Sequence, residues 1–584
     1  GHTYFASEIT LDDVSIESPT QVVYSDDFEF GADPNSFQND SKMIGVSAHN
    51  PEVVYVLEAS DGVFGEFYKS TDSGENFTKL DHNGKNYFGY SSSADDNSGQ
   101  APRDMDIIVN PNDADDVHIA GILSWRSTNG GSSFNVTSQW IPEEAAKENI
   151  GYCHADIDIM IYQNDKIYLG TDGGIFVAND PLNVSSSYYT DLSVGLGIRQ
   201  FYKIGISQTD PVIVSGGSQD NGTSIYRADG SWKDWLGADG METFIDHSDP
   251  NVLYGTTQLG DLWKSNNQGQ GYDLLTPPDN KFGNWITPFE QDPSDKSSIY
   301  VGYNQVYKSD IAGDTLADGS QSWKPISSVF ERNLDHLKIA PSDNQTIYAA
   351  FRSNLFKTTS GGGTGSTAWQ QLTGFSGGIN SIAVHPTDPD KLAIATTASE
   401  KVYISTDGGL NWQAMRHDLP DFAALALVWD VTYNEDILYL GMNYGVYYLR
   451  DSETSWGTYS TSFPNVEVNE LEINTADNKI YAATYGRGLW RVDLFNPSTM
   501  SVDDSEVFDF KIFPNPTSGS FKIHSEINEL VTLKIYDILG KLVFYEKNRN
   551  ISLNSEIKLE AAKGVYFLKA NTVSREMTKK LILK

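Results

Sequence analysis

The chain has 584 residues, a formal net charge of -38 at pH 7 and 12% aromatic residues. It is too long for one ordinary compact domain unless that domain is built from repeats. The negative charge makes a nucleic-acid backbone or an anionic membrane a poor partner, and there is no run of about 18 apolar residues that would span a membrane. Abundant glycine and aromatic residues without long heptads favour an all-β fold, and Cys153, the one cysteine in the sequence, cannot form an intrachain disulfide.

The first predicted element is a strand over "FASEITLDDVSI", residues 5–16, followed by the linker-like "ESPTQ". A lone strand at a chain start cannot fold by itself. It resembles the last strand of a carbohydrate-binding-type jelly roll, so residues 1–18 are assigned to an upstream module and 19–42 to a linker. The alternative is a stray strand docked on the next domain. No signal peptide opens the chain, which predicts a mature or truncated product.

Residues 43–496 repeat one unit ten times at a spacing near 45 residues, from "NPEVVYVLEA" (50–59) to "ADNKIYAATYG" (476–486). Each unit has an Asp-Pro-x-x-(Val/Ile/Leu)-Tyr type of lead, a β-rich run, a stretch of small residues, a second β-rich run and a turn before an aromatic residue. This spacing is the size of a propeller blade. The sequence therefore predicts a large β-propeller, with ten blades in one ring.

Three turns share the pattern Ser-x-(Asp/Asn)-x-Gly-x-x-aromatic. The Asp or Asn oxygen can accept hydrogen bonds from the backbone of its own loop, Gly supplies a positive φ, and the aromatic residue packs into the core. We therefore expect structural rather than catalytic roles. The positions are Ser70, Asp72, Gly74 and Phe77; Ser127, Asn129, Gly131 and Phe134; and Ser405, Asp407, Gly409 and Trp412.

These turns resemble the Asp-box, or BNR repeat, of sialidase-like propellers. Ten units resemble the ten-bladed propeller of sortilin-type receptors, although the cysteine-rich module of those receptors is missing. Xyloglucanase-type glycosidases use the same box in two seven-bladed propellers, which would need more sequence than this chain has.

Between the second and fifth units, "GYCHADIDIMIY" (151–162), "GTDGGIF" (170–176), "GGSQDNGTSIY" (216–226) and "WLGADGMETFID" (235–246) place polar residues beside glycines. The four segments resemble an uncharacterised family of Bacteroidetes surface propellers. We predict a ligand site formed by His154, Asp156, Gln219, Asp220 and Asp239.

Two sharper interpretations remain open for these segments. His154, Asp156 and Asp158 alternate, so on a strand they would share one face and could bind a metal ion; the alternative is a hydrogen-bonded strand end. Asp172, Asp220 and Asp239 could supply an acid–base pair for glycoside chemistry, or could each bond their own loop. No cofactor is predicted with certainty, and calcium is the cation that acidic loops would take.

From residue 507 onward the chain has 11 Lys and 2 Arg against 8 acidic residues, a net charge of +5 that leaves -43 for the rest. That change of sign marks a domain boundary. "FKIFPNPTSGSFKI" (510–523), "LKIYDILGKLVF" (533–544), "AAKGVYFLKA" (561–570) and "MTKKLILK" (577–584) have the rhythm of short strands and turns, which predicts a small β-sandwich over 509–584 after a linker at 497–508.

These four segments resemble the type A sorting domain of type IX secretion cargo in Bacteroidetes. The resemblance implies recognition by the translocon and its outer-membrane shuttle barrel, and a secreted or surface-attached product. The positions carried over are Pro514, Asn515, Pro516, Gly540, Lys541, Gly564, Lys579, Lys580 and the terminal Leu581, Ile582, Leu583 and Lys584.

The sequence thus predicts a secreted or surface-displayed protein that binds a glycan or protein ligand. The alternative is a glycoside hydrolase or lyase that uses Asp pairs, and a purely structural display scaffold is a third class. Whether the protein is an enzyme stays open at this point.

Overall fold

The computed structural model describes residues 14–18, 21–26, 41–278, 282–459, 463–496, 510–524, 530–537, 541–551, 555–572 and 576–584. Nearly all of its regular structure is β, and the α-helix among the described residues is Pro142–Glu148 (α1). The chain divides into two compact units, one up to Asp493 and one from Leu494 onward. Each unit is described by itself below.

The first described element is a hairpin of β1 (Val14–Ser18) and β2 (Gln21–Asp26), paired antiparallel. The predicted strand therefore has a partner, and that partner lies inside the stretch assigned as a linker. The start of the predicted strand, residues 5–13, lies outside the described residues.

Ten antiparallel sheets follow between residues 41 and 493, each with its strands adjacent in chain order. We number them sheet 1 to sheet 10. Sheets 1 to 3 contain β3 (Ser41–Val46), β4 (Val54–Ser60), β5 (Val63–Ser70) and β6 (Thr78–Leu80); β7 (Asp106–Val109), β8 (Val117–Ala120), β9 (Ser124–Ser127) and β10 (Asn135–Val136); and β13 (Ile157–Gln163), β14 (Lys166–Thr171), β15 (Gly174–Ala178) and β16 (Tyr189–Asp191). The parallel pair β11 (Ser138–Gln139) and β12 (Gly151–Tyr152) flanks α1.

The other seven sheets have the same design, with three strands described in the last. Sheets 4 to 6 contain β17 (Lys203–Ile206), β18 (Val214–Gly217), β19 (Thr223–Tyr226) and β20 (Trp232–Leu236); β21 (Thr243–Ile245), β22 (Leu253–Thr256), β23 (Leu262–Ser265) and β24 (Asp273–Leu275), with a short 3-10 helix at Gln258–Gly260; and β25 (Phe289–Gln291), β26 (Ile299–Gly302), β27 (Val306–Ser309) and β28 (Lys324–Pro325).

Sheets 7 to 10 complete the series. They contain β29 (His336–Ala340), β30 (Asp343–Phe351), β31 (Asn354–Thr358) and β32 (Gln370–Leu372); β33 (Ile379–Val384), β34 (Leu392–Thr396), β35 (Val402–Ser405) and β36 (Gln413–Ala414); β37 (Ala424–Asp430), β38 (Ile437–Met442), β39 (Gly445–Arg450) and β40 (Gly457–Thr458); and β41 (Val468–Asn474), β42 (Lys479–Thr484) and β43 (Leu489–Asp493).

The first strands of successive sheets pack side by side, which is the arrangement of propeller blades around an axis. The first strand of sheet 4, β17, packs against β21 of sheet 5 and also against β41 of sheet 10. Sheets 4 to 10 therefore close into a ring of seven, and sheets 1 to 3 form a separate arc. We call these two parts the ring and the arc.

The seam between sheets 4 and 10 is closed by side-chain and backbone hydrogen bonds. The backbone N–H of Ile204 donates to Glu470 at 2.7 Å, and Asn469 donates to the Phe201 carbonyl at 2.9 Å. Phe201 and Ile204 also belong to one buried cluster with Tyr481. The prediction of a single ten-bladed ring is therefore wrong, because the fourth sheet, rather than the first, completes the circle with the tenth.

A recurring contact joins three of the sheets to the next one along the chain. The Lys69 ammonium in β5 lies 5.4 Å from the centre of the Tyr55 ring in β4 and pairs with Asp115 of the next sheet at 2.8 Å. Tyr55 is fully buried and donates to the Ala114 carbonyl at 2.8 Å. Tyr55 is the tyrosine of the repeated lead, and this contact between sheets explains why a tyrosine recurs there. Equivalent contacts join Lys264, Tyr254 and Asp314, and Lys357, Tyr348 and Asp390.

The polar turns have the hydrogen bonds expected from their sequence. The Ser405 hydroxyl donates to Asp407 at 2.8 Å and accepts the Gly409 N–H at 2.8 Å, while Asp407 accepts the Asn411 N–H at 2.9 Å. These bonds, led by Asn411, lower the pKa of Asp407 to about 2. Trp412 packs against Phe375 with ring centres 5.5 Å apart. The same bonds recur among Ser70, Asp72, Gly74 and Asn76 and among Ser127, Asn129, Gly131 and Ser133, and Phe134 is buried whereas Phe77 is half-buried.

The C-terminal unit is a two-sheet sandwich. Its sheets have the orders β44-β45-β48 and β47-β46-β49-β50, and the core contains Phe521, Leu533 and Leu568. The strands are β44 (Lys511–Phe513), β45 (Ser520–His524), β46 (Leu530–Asp537), β47 (Leu542–Asn550), β48 (Ser555–Lys558), β49 (Gly564–Asn571) and β50 (Glu576–Leu583).

The predicted sorting positions lie mainly at the turn after β44 and in the last strand. Asn515, between Pro514 and Pro516, donates to the Lys580 carbonyl at 2.7 Å and accepts the Ile582 N–H at 2.9 Å. This Asn therefore fixes the final strand to the first turn. Gly564 begins β49, and Lys579 lies in β50. Two backbone hydrogen bonds involve the other lysines. The Lys584 N–H donates to the Thr517 carbonyl at 2.9 Å, and the Lys541 N–H donates to Asp537 at 2.9 Å. Gly540 lies outside the described residues.

Candidate functional site

Three carboxylates meet where loops of the arc approach loops of the ring. Oxygens of Asp156, Asp172 and Asp220 lie within 4.8 Å of one another. Asp156 precedes β13, Asp172 lies in the turn between β14 and β15, and Asp220 lies in the turn between β18 and β19. The sequence predicted Asp156 and Asp220 as ligand residues and Asp172 as a catalytic candidate, and the fold brings all three together.

Arg103 is the cation that partly neutralises this cluster. Its guanidinium lies 3.0 Å from Asp172 and also pairs with Asp158. Sequence reasoning missed Arg103, because it lies 69 residues from Asp172 and only the short "PRD" stretch marks it. One arginine faces several carboxylates, so the cluster keeps an excess of negative charge.

Asp104 extends the acidic cluster into the protein. Its side chain is 1% exposed, and its Oδ2 has no hydrogen-bond partner among the described residues. Burial, followed by the charge of Asp156, raises the pKa of Asp104 to about 7. Burial, followed by the charge of Asp172, also raises the pKa of Asp156. Crowded and partly desolvated carboxylates of this kind hold protons near neutral pH unless a cation replaces them.

Asp220 and Asp239 form the second half of the site. The Asp220 N–H donates to Asp239 Oδ1 at 2.8 Å. Burial and then the Asp239 carboxylate raise the pKa of Asp220 to about 7. Asp172 and Asp220 occupy the same turn in sheets 3 and 4, whereas Asp239 lies in the connection from β20 to β21. The side chains of Asp172 and Asp239 therefore bond neighbouring loops rather than only their own.

The predicted metal set of His154, Asp156 and Asp158 is not assembled. Asp156 has a φ of 62° and the strand begins only at Ile157, so the alternation required for a shared face is broken. The His154 ring nitrogens face carbonyl oxygens, Nε2 that of Asp220 at 3.1 Å and Nδ1 that of Ala155 at 3.2 Å. His154 thus links the arc to the ring, and Asp158 pairs with Arg103.

Aromatic side chains lie on both sides of the carboxylates. Tyr90 is 44% exposed and contacts Trp140 with ring centres 6.5 Å apart, and its pKa is raised by burial and then by the charge of Asp156. On the ring side, Tyr202 donates to Gln219 at 2.5 Å and lies 6.5 Å from Tyr485. Gln219, a predicted ligand residue, is therefore held in place by an aromatic neighbour.

A groove of about 410 Å³ continues from this site along the ring. Gln258 accepts the Asp239 N–H at 3.2 Å and lines the groove. Phe282 is 73% exposed, and the indole N–H of Trp263 is buried without a partner in the described part of the chain. The other lining residues are Leu236, Gly237, Ala238, Thr257, Leu259, Asp261 and Tyr272.

A second cluster of charges lies on the first strands of the ring and was not foreseen from the sequence. Lys203 pairs with Glu470 at 3.4 Å, and Lys338 pairs with Glu290. Burial raises the pKa of both Glu242 and Glu472 to about 8. The first strands of propeller blades face the central channel, so these residues would line the axis of the ring.

The junction offers several carboxylate oxygens close together. Oxygens within 4.8 Å of one another could hold a hard cation such as calcium. The residues for this role are Asp156, Asp172 and Asp220.

Comparisons with known proteins identify the C-terminal domain. The family described as "Secretion system C-terminal sorting domain" matches residues 511–584. The domain is thus a type IX sorting domain, and the protein is secreted or attached to the cell surface. In the described part of the chain, helix length and apolarity nowhere reach what a membrane crossing needs.

One curated relative and two solved structures are similar to parts of the chain. An endo-acting ulvan lyase of Formosa agariphila is 31% identical over 104 residues, which are 17% of this chain and 20% of that protein. The chain thus spans about a fifth of the length of that relative. A GH74 enzyme of Niastella koreensis has a TM-score of 0.31 at 14% identity, covering 77% of this chain and 83% of its own. PorZ of Porphyromonas gingivalis, an essential surface component of the type IX secretion system, has a TM-score of 0.41 at 12% identity, covering 93% and 81%.

Proposed function

We propose that this protein, exported by means of its type IX sorting domain, binds a polysaccharide in the cleft between the arc and the ring. The observation that carries the proposal is the convergence of Asp156, Asp172 and Asp220 between aromatic side chains on either side. Carboxylates and amides accept hydrogen bonds from sugar hydroxyls, and tyrosine and tryptophan stack on sugar rings. The site therefore has both kinds of group that a glycan needs.

The charge of the cleft indicates which glycans would fit. Arg103 offsets part of the charge of the carboxylates around it, so an anionic polymer would be repelled unless a divalent cation bridged it. We therefore propose a neutral polysaccharide, or an anionic one bound through calcium held by the three aspartates. The name of the ulvan lyase relative agrees with a polysaccharide ligand, although its match covers only 104 residues.

We also propose that the polar turns are Asp-boxes and that the blades belong to the Asp-box propellers. The hydrogen bonds of Ser405, Asp407 and Gly409 support this assignment. For the sorting domain, we propose recognition by the translocon and its shuttle barrel through the last strand, which Asn515 holds in place.

A second candidate function is a glycoside hydrolase or lyase. It is favoured by Asp220, whose pKa of about 7 would leave it partly protonated at neutral pH beside the Asp239 carboxylate. A carboxyl group in that state can act as a general acid. In this alternative Asp220 gives the proton and a neighbouring carboxylate stabilises charge or acts as base.

The test combines binding and turnover on one panel of neutral and anionic polysaccharides. Affinity electrophoresis would compare the wild type with Tyr90→Ala, and with Tyr545→Ala as a control, because Tyr545 of the sorting domain is similarly exposed at 48%. We expect Tyr90→Ala to weaken binding about tenfold, since one stacking contact contributes roughly 1 kcal/mol or more. Equal loss in both variants, or no binding by the wild type, would contradict the proposal.

Turnover separates the two candidate functions. Asp220→Asn keeps the shape of the residue and removes its titratable carboxyl group. Asp229→Asn is the matched control, because Asp229 lies at the other end of sheet 4. In the described contacts it bonds only Ser231 of its own loop. An enzyme would lose turnover in Asp220→Asn alone, with its melting temperature unchanged. If the wild type releases no product from any polysaccharide that it binds, the catalytic candidate is wrong.

A further inference from the structure

The outer face of the four-stranded sheet in the C-terminal unit combines lysine with aromatic side chains. Along β46, β49 and β50, the core residues Leu533, Leu568 and Leu581 are buried, so the residues on either side of each point away from the core. Paired residues of neighbouring strands share a face, with Cβ atoms roughly 4.5–5.5 Å apart. We call the two rows that result the basic face. In the order β47, β46, β49 and β50, they are Tyr545, Lys534, Lys569 and Thr578, and Leu542, Tyr536, Phe567 and Lys580.

The lysines of the basic face have no acidic residue directly across from them. Lys534 and Lys569 are opposite each other, and Lys580 lies diagonally from Lys569 on the next strand. Glu576 lies beyond them, at the start of β50. Among the described residues of this unit the salt bridge is that of Arg549, so neither Lys534 nor Lys580 takes part in one. Like charges directly opposite each other destabilise a sheet, so stability does not account for this pairing, whereas an anion bound between the lysines would.

Aromatic and apolar side chains lie open to solvent between these lysines. Tyr545 is 48% exposed, Leu542 is 46% exposed and Phe567 is 42% exposed. The Lys547 ammonium adds a further positive charge 5.9 Å from the centre of the Tyr545 ring. Exposed apolar groups that lie together mark interaction surfaces, and aromatic rings offer flat faces on which sugar rings stack. The basic face therefore combines groups that attract anions with groups that hold rings.

The other sheet of the sandwich has a different outer face. Its Lys522 lies opposite Glu556, so charges of opposite sign are paired there. Lys558, two residues after Glu556, lies opposite Ser520. Both lysines are exposed. Lysine opposite lysine is thus a feature of one face, and it does not follow simply from the positive net charge of this part of the chain.

We propose that the basic face binds an acidic polysaccharide, whose sugar rings carry sulfate or carboxylate groups. Stacking on Phe567 and Tyr545 would hold the rings, and Lys534, Lys569 and Lys580 would attract the acidic groups. A polysaccharide fits better than a nucleic acid, because the sorting domain directs this protein to the outside of the cell. This inference does not rest on the ligand proposed for the cleft, which is a separate site on the other unit.

The experiment uses affinity electrophoresis of the 584-residue protein in gels that contain dextran sulfate, with uncharged dextran as the reference polymer. EDTA in the gel removes calcium, so that no cation bridges the polymer to the cleft. We expect retardation by dextran sulfate alone, and a weaker effect at high salt. The double variant Lys534→Gln/Lys580→Gln should bind about tenfold more weakly, because two exposed charges are lost. Lys522→Gln/Lys558→Gln, which removes the same charge from the other face, should bind within about twofold of the wild type.

Aromatic variants separate a built site from general attraction between opposite charges. Phe567→Ala leaves the charge unchanged, yet it should weaken binding to dextran sulfate by about fivefold or more. Tyr545→Ala should have a similar effect, and it serves if Phe567→Ala lowers the melting temperature. Neither variant should change binding to neutral polymers, because the basic face recognises charge. Tyr545→Ala therefore remains a control for the cleft when the polymer is neutral, and failure at one site can be told apart from failure at the other.

Four results would overturn the proposal. Dextran sulfate that does not retard the wild type would show that the face binds no acidic polymer of this kind. Equal losses in the two double variants, or aromatic variants that bind like the wild type, would show attraction by net charge alone. Tighter binding to phosphatidylglycerol vesicles or to single-stranded DNA, lost in Lys534→Gln/Lys580→Gln, would identify another class of partner.

Discussion

A substitution of Gly409 by alanine tests the interpretation that the polar turn between β35 and β36 is a structural device. Gly409 has a φ of +89°, and a Cβ placed there would lie 2.4 Å from Leu372 Cδ1. Leu372 is 3% exposed and belongs to the core between sheets 7 and 8. The new methyl group would therefore meet both a strained backbone and a packed neighbour.

The expected cost is the sum of those two effects. A left-handed conformation costs a residue with a side chain about 1 kcal/mol, and overpacking a core costs about 1–3 kcal/mol. We expect Gly409→Ala to lower the free energy of unfolding of the ring by roughly 2–4 kcal/mol. Gly319→Ala is the matched control, because Gly319 has a φ of +81° but no atom within 4 Å of the added Cβ. It should cost only about 1 kcal/mol.

Urea unfolding followed by tryptophan fluorescence measures both variants. Gly365→Ala supplies the baseline, because Gly365 has neither a positive φ nor a close neighbour. If Gly409→Ala costs no more than Gly319→Ala, the turn does not pack against the core as described. If Gly409→Ala keeps its stability but loses ligand binding, the turn belongs to a binding site and the structural interpretation is wrong.

Three further predictions concern the charged groups. Burial raises the pKa of Glu242 and Glu472 to about 8, so the native state keeps protons that the unfolded state loses above about pH 4.5. The free energy of unfolding should therefore fall as the pH rises from about 5 to 8. Urea unfolding at a series of pH values measures this slope, and Glu472→Gln should flatten it. Glu470→Ala, which removes the acceptor of the Ile204 N–H, should speed amide exchange at the seam, while Glu470→Gln should preserve most of the protection. Calcium should raise the melting temperature of the wild type and have little effect on Asp156→Asn, as calorimetry would show.

Local features of the fold were predictable from the sequence because their causes lie within a few residues. Ser405, Asp407 and Gly409 bond one another in one turn, and several lead tyrosines, such as Tyr348, are buried in the second strand of their sheets. The sorting domain was predictable because its turns and strands follow one another closely, and the family match over residues 511–584 agrees.

Features that depend on distant parts of the chain were not predictable. The seam joins Lys203 to Glu470, 267 residues apart, and repeat spacing contains no information on which sheets meet there. Counting ten units therefore suggested one ring. At the cleft, Arg103 comes from the loop before sheet 2, and the positive φ of Asp156 breaks the alternation that the metal hypothesis assumed.

The way in which the seven-sheet ring closes has a consequence for how the protein folds. Most contacts in a propeller form within a sheet or between successive sheets, so they join residues close in sequence and can form early. Joining the first sheet to the last requires a loop of more than 250 residues to close, and this entropic cost is met before any closing contact is made. The nascent domain is therefore expected to pass through an open series of folded sheets, in which the first and the last sheet each expose an apolar face. Its slow step is the meeting of those ends, and the order of synthesis makes the tenth sheet the one that permits it.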